Sequence, residues 1–441
     1  MNALRRIALG CVLALAGLSA FAHERLTYAV TSETSAPAGK SDVKAKTDEF
    51  PLTVILGHRY LIIEHHDLRR IYDFERRRVL ELNLRTRNYE DASLFTDVGF
   101  REIELNNRLV LAKALAAGGV KDSPMSPALT EHLTSVAADD SQTVVERRTA
   151  GDSEVFSSEQ HELATISNSG EPLPAEYRAE YWRFLRYFVG GHPKIWQALA
   201  GRPDAPSSLR IVRTDAITEI RTLRLQRVEA FDGSIGATDG FTSAQPDGEP
   251  FTTIAKIGSL PAGSIAKHAR ERLAVRDAAF DKGQVLDAVL AHFEWLFETG
   301  EESTWLAANR PVIEADSEVS QLFQALQPHN PQEATEAVAT LASLQGKRPE
   351  QRYLLDVFAA NTLARLGKRE EGVMRFLVVL HRNPLAVGPW IDLGGVYRDS
   401  FNPRAAWACW DAARSLRPRH SFLKGPNEIE AKLLADHPEF F

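Results

Sequence analysis

Residues 387–420, VGPWIDLGGVYRDSFNPRAAWACWDAARSLRPRH, decide how this chain is built. Trp390, Leu393, Gly394 and Tyr397 recur at helical spacing and share one side of a first helix. Ala406, Trp410 and Ala413 do the same on a second, and Pro418 closes the unit. Between them, Asn402 is suited to cap a helix and Pro403 to open it. A helix pair of this kind cannot bury its apolar face alone and needs stacked neighbours.

The frame extends upstream. In residues 353–386, Gly367 falls in the turn, Phe376 takes the place of Trp410 and Pro384 that of Pro418. Asp356 and Leu363 stand where Trp390 and Tyr397 do, so the first helix matches less well. This 34-residue period resembles the tetratricopeptide repeat (TPR) family. The resemblance implies helical hairpins whose first helices line a concave groove for a partner peptide. Its exposed positions would be Leu354, Val357, Asn361, Ala364 and Arg365, then Gly388, Ile391, Gly395, Arg398 and Asp399. Among these, Asn361, Arg365 and Arg398 are suited to a peptide backbone or carboxylate. The further Lys and Asn residues of the family's carboxylate-binding pattern are absent. Helices are also expected over 262–280, 284–299, 317–326 and 331–345, with Asn330-Pro331 repeating the cap-and-start device, and a helix at 426–435 covers the end of the stack. An all-α, TPR-like domain is therefore expected over 255–441, with its best repeats at 353–386 and 387–420.

Residues 51–232 follow a different period. Short alternating runs at 52–56, 59–64, 69–74 and 78–83, parted by tight turns, read as an antiparallel meander. More strands are expected at 143–148, 154–158, 161–167, 209–212 and 217–231, and helices at 98–117 and 174–189. The second helix carries Tyr177, Tyr181, Trp182, Phe184, Leu185, Tyr187 and Phe188, too many aromatics for a solvated helix. The pattern is α+β: a curved antiparallel sheet with helices on one face. The run Arg70-Ile71-Tyr72-Asp73-Phe74, followed by Val79-Leu80-Glu81-Leu82 and Tyr89, resembles small exported β-domains, including the half-barrel of periplasmic lipoprotein carriers. The aromatic helix over a curved sheet suggests a second function, lining an apolar cavity that carries a lipid or other hydrophobic ligand, although large aromatics also serve simply to fill a core. Residues 233–254, rich in Gly, Ser, Thr and Asp, read as a linker.

The first 22 residues have the layout of a secretory signal: Arg5-Arg6, an apolar run over 7–18, and Ala20-Phe21-Ala22 before His23. Residues 23–50 are polar and read as a flexible leader. The whole chain carries 52 basic and 59 acidic residues, and loss of Arg5 and Arg6 makes the balance more negative. Without a basic block, nucleic acid and anionic lipid are poor partners. Cys409 is the only cysteine after the signal, so no intramolecular disulfide is available to it. No later stretch is apolar enough to span a membrane. Export is expected, to the periplasm if the source is Gram-negative.

No catalytic constellation emerges. His58, His65 and His66 lie near Glu64 and Asp67, but adjacent strand residues point to opposite faces, so solvated turn residues are the simpler reading than a metal site. Cys409, between Trp407-Ala408 and Trp410, reads as a core thiol. Neither a Gly-x-Ser-x-Gly elbow nor a phosphate loop is present. The expectation is a non-enzymatic scaffold without cofactor or metal, whose partner is another envelope protein or peptide.

Overall fold

The longest sheet partners in the protein belong to a strand that the sequence hides. In the computed structural model, which describes residues 23–36, 44–118, 126–233, 238–261 and 263–441, β1 runs over His23–Ser35. The flexible-leader reading of 23–50 is therefore corrected: β1 and the start of β2 (Lys46–Gly57) fill most of it. Leu26, Tyr28 and Val30 are buried on one face, while of the residues between them Thr27 is half-buried and Ala29 exposed. A sheet with one wet face needs only every second residue to be apolar. The signal-like segment 1–22 lies outside the described residues.

β3 (Tyr60–His65), β4 (Leu68–Asp73), β5 (Arg78–Asn83) and β6 (Asn88–Ser93) continue the meander, as expected. After α1 (Phe95–Ala117) and α2 (Pro127–Thr134), a second set follows: β7 (Glu146–Ala150), β8 (Ser153–Ser158), β9 (His161–Ser167) and the short β10 (Gly170–Pro172). The aromatic helix α3 (Arg178–Phe184) runs on into a wider turn, Leu185–Val189, and stops at Gly190, whose φ is 75°. Beyond α4 (Pro193–Leu199) lie β11 (Asp204–Pro206), β12 (Ser208–Thr214), β13 (Thr218–Phe231) and β14 (Thr242–Ser243). Among the described residues, twelve strands form one sheet in the order β14-β6-β5-β4-β3-β2-β1-β13-β12-β9-β8-β7, antiparallel except for β14 beside β6. β10 and β11 pair separately. The fold class is α+β, with this N-terminal antiparallel sheet followed by a helical region.

The main core lies on one face of the sheet. Leu26, Val54, Leu56 and Ile63 meet Tyr181, Trp182, Phe184 and Trp196 from α3 and α4. Each fully buried side chain of this size contributes about 1.5–3 kcal/mol. A smaller cluster (Ile55, Tyr60, Ile62, Ile71 and Leu82) forms on the other face of the first meander, where Phe241 covers it.

The chain divides into two units, residues 1–244 with 432–441, and residues 245–431. The last ten residues, which the sequence reading gives to the helical domain, thus cluster with the sheet. Phe440 is fully buried, its carbonyl accepts from Tyr187 Oη at 3.0 Å, and Phe441 packs on Phe95 with centroids 5.0 Å apart.

The second unit is helical: α5 (Phe251–Gly258), α6 (Ser264–Asp281), α7 (Val285–Thr299), the short α8 (Trp305–Ala308) and α9 (Arg310–Ala315), then α10 (Ser317–Ala325) and α11 (Pro331–Gly346). α12 (Leu355–Arg365) with α13 (Arg369–Arg382), and α14 (Val387–Asp399) with α15 (Pro403–Leu416), are the two expected hairpins, and α16 (Lys424–Asp436) follows. The linker reading missed α5. The caps form as expected: Asn330 Oδ1 accepts the Glu333 N–H at 2.9 Å and Asn402 Oδ1 the Ala405 N–H at 3.2 Å.

The two hairpins are compatible with one TPR-like plan, since equivalent positions 34 residues apart make equivalent contacts. A Cβ on Gly394 would overlap the Trp410 indole and lie 3.0 Å from Ala406 O, while one on Gly372 would lie 3.0 Å from Ala360 O. Positions 360 and 394, and 372 and 406, are thus the points of closest helix approach in the two hairpins, with the glycine on opposite partners. Trp390, Leu393, Ala406, Trp410, Ala413 and Phe376 are all buried, and Tyr397 is 9% exposed. Pro418 follows α15 at the surface.

The turn repeats as well. Gly367 has φ 78°, and 34 residues on Phe401 has φ 58° and is 42% exposed. A left-handed backbone costs a side-chain-bearing residue about 1–2 kcal/mol, and little packing offsets that here. Phe401→Gly is expected to stabilise the chain by about 0.5–1 kcal/mol in urea unfolding; a loss of stability would show that the ring is needed.

Candidate functional site

The helical unit presents a groove of about 770 Å³ where α12, α14 and α16 meet. Regular helices put Asn361, Ala364 and Arg365 on one wall and Ile391, Gly395 and Asp399 on the next, all positions expected from the repeat frame. Arg369, Asp392, Val396, Trp410, Gly425, Pro426 and Ile429 complete it. Gly395 forms an open floor, because a Cβ there would meet nothing within 4 Å.

The walls differ in charge. Arg365 is exposed, and its one hydrogen bond among the described residues is a long one, 3.4 Å from Nη2 to Thr362 Oγ1. Neither it nor the exposed Arg369 has a carboxylate within 4 Å among the described residues. Opposite, half-buried Asp392 accepts from Asn361 Nδ2 at 2.7 Å. Burial raises the Asp392 carboxyl above its ordinary range, opposed by that bond. Asn361 thus spends an amide proton inside the groove. Arg398 does not line the groove and lies 4.0 Å from Asp399. The frame missed Arg369 and Asp392, and also α16 as a wall.

A larger cleft of about 840 Å³ in the same unit, lined by Gln321, Gln324, Glu333 and Glu336, has no Lys or Arg. In the sheet unit, Glu131 and Thr143 border a cleft of about 600 Å³. Burial would raise the Glu131 carboxyl, but bonds from His192, Ser141, Thr143 and the Ala138 N–H outweigh it and hold it below its ordinary range. His192 Nδ1 accepts the Lys194 N–H, so its proton sits on Nε2, 3.1 Å from Glu131 Oε2. Thr143 already donates to Glu131 at 2.7 Å. His192 Nε2 also lies 3.2 Å from Thr143 Oγ1, but the proton it carries leaves no lone pair there to accept one from the hydroxyl, and the trio ties a loop down.

The turn does bring His65 and His66 together, since His66 takes φ 51° and their Nδ1 atoms lie 3.2 Å apart. Phe50 packs against both rings at a tilt, and His58 is exposed. Glu64 is occupied by Arg69. Cys409 is buried, which pushes its thiol well above the ordinary value. Rings of the aromatic helix fill space: Tyr181 packs on Trp182 with centroids 5.3 Å apart and on Phe184 at 6.0 Å.

No protein-family model matches the sequence, and no curated protein matches it. Among solved structures it is similar to one described as lipid-protein interactions in lipovitellin, at 10% identity and a TM-score of 0.17. The match covers 95% of this chain and 55% of that one, so the chain spans about half the length of that neighbour. A score of this size carries no argument about fold or function. No helix among the described residues is long and apolar enough to cross a membrane.

Proposed function

We propose that this chain is an exported, non-enzymatic interaction protein that holds an extended acidic segment of an envelope protein in the groove of its helical unit. The carrying observation is the pair of guanidinium groups, Arg365 and Arg369, free of carboxylates beside a floor left open at Gly395. A planar guanidinium favours bidentate contact with a carboxylate, and an open floor admits peptide backbone. Asp399 on the facing wall suits a basic or hydrogen-bond-donating neighbour in the same segment. Export is supported by the layout of residues 1–22. A second reading, carriage of a hydrophobic ligand, would require the packed rings of Tyr181, Trp182 and Phe184 to part.

The test is a display library of extended acidic peptides, with the best binders measured by fluorescence anisotropy. Arg365→Glu/Arg369→Glu should weaken binding by about 1.5–3 kcal/mol, roughly 10- to 150-fold. Gly395→Leu should block it, with the circular dichroism of both variants unchanged. Binding indifferent to both changes would place the partner elsewhere.

A further inference from the structure

The helix pair α6 and α7 brings an imidazole and two carboxylates together within the helical unit. Glu294 and Glu298 lie one turn apart on α7 and project to the same side. His268 on α6 lies across them, its Nδ1 2.6 Å from Glu298 Oε1. One ligand atom from each of the three residues lies within 4.8 Å of the others. The glutamate side chains are 6% and 0% exposed, whereas that of His268 is 28% exposed and leaves a way in from solvent.

The surrounding residues orient these groups. Asn383 Nδ2 donates to Glu294 Oε1 at 2.8 Å and to Glu298 Oε1 at 2.7 Å, and Tyr353 Oη donates to Glu294 Oε1. Arg272 Nη1 donates to Glu294 Oε2 at 3.3 Å. Glu298 Oε2 is enclosed and has no hydrogen-bond partner among the described residues. A buried carboxylate oxygen is almost always satisfied, so this one is short of a donor or a cation.

We propose that His268, Glu294 and Glu298 bind one divalent first-row transition metal ion, with zinc the best fit. One imidazole nitrogen with two carboxylate oxygens is a borderline donor set, which suits zinc better than magnesium or calcium, whose sites are all oxygen. Ligand atoms around zinc, bonded at about 2.0–2.2 Å, lie roughly 3–4 Å apart, close to the separations of up to 4.8 Å found among these three. Arg272 offsets part of the negative charge, so a single ion suffices. Asn383 and Tyr353 hold the carboxylates, as partners behind metal ligands do. The ion would clip α6 to α7. The competing arrangement is a metal-free network in which a protonated His268 serves Glu298 and Arg272 serves Glu294.

The experiment uses the full chain, stripped with a chelator and dialysed, then titrated with Zn²⁺ by calorimetry and with Co²⁺ by visible absorption. One equivalent should bind, and Glu298→Gln and His268→Gln should each lower the affinity at least tenfold while keeping the wild-type circular dichroism in chelator. His268→Gln alters the more exposed residue, so it remains informative if Glu298→Gln fails to fold. The proposal is overturned if the wild type binds neither ion, or if both variants bind as the wild type does.

Discussion

Trp390→Ala is expected to lower the unfolding free energy of the helical unit by about 3–5 kcal/mol, the usual cost of emptying a buried indole site. Trp390 is fully buried, and its Nε1 donates to Pro384 O at 2.9 Å, joining the end of one hairpin to the start of the next. Truncation therefore opens a cavity and leaves a carbonyl unpaired at the junction between repeats. Trp390→Phe keeps most of the ring, loses the hydrogen bond, and should cost less. Urea unfolding followed by circular dichroism reads both. An unchanged midpoint for Trp390→Ala would sink the repeat frame.

Arg352→Ala should cost a similar amount by another mechanism. Arg352 and Asp287 have side chains 6% exposed, and Arg352 Nε donates to Asp287 Oδ1 at 2.7 Å. Its Nη2 reaches Glu318 Oε2 at 2.6 Å and its Nη1 Leu344 O at 3.0 Å, so one side chain ties α7, α10 and α11 together. Removing it leaves Asp287 enclosed with only the half-exposed Arg348, and breaking a buried pair from one side costs about 3–5 kcal/mol. Hydrogen bonding to Arg352 is the main cause that holds the Glu318 carboxyl below its ordinary value. A depressed carboxyl stabilises fully above its unfolded value of about 4.3 and loses that contribution as pH falls through the folded value. The gap between wild type and Arg352→Ala should therefore narrow in acid. A loss under 1 kcal/mol at neutral pH would show that Arg348 and solvent suffice for Asp287.

The helical half was legible because its signals are local. A 3.6-residue period, Asn-Pro starts and a turn needing positive φ each act within a few residues, so residues 353–420 declare themselves. β1 was hidden because a strand with one wet face is half polar and its partner β13 lies far along the chain. The groove shows the same divide. Asn361, Arg365 and Gly395 follow from the frame, but Arg369 and Asp392 fall outside its five groove positions, and α16 adds a third side from beyond the repeats. For the histidine–glutamate cluster, Glu294 and Glu298 at i and i+4 were the only signal within one helix, and His268 comes from another.

The pairing of His23 with Phe231 also sets an order of events. β2 can join β1 early, but the other edge of β1 stays open until about 200 further residues have been made. At synthesis rates of about 5–20 residues per second, that is roughly 10–40 s in which one edge of the strand bearing Leu26, Tyr28 and Val30 stays open. Closing so long a loop is also entropically slow. The sheet is thus sealed late, and a chaperone holding β1 while the chain is still being made would guard it when it is most exposed to pairing with another chain.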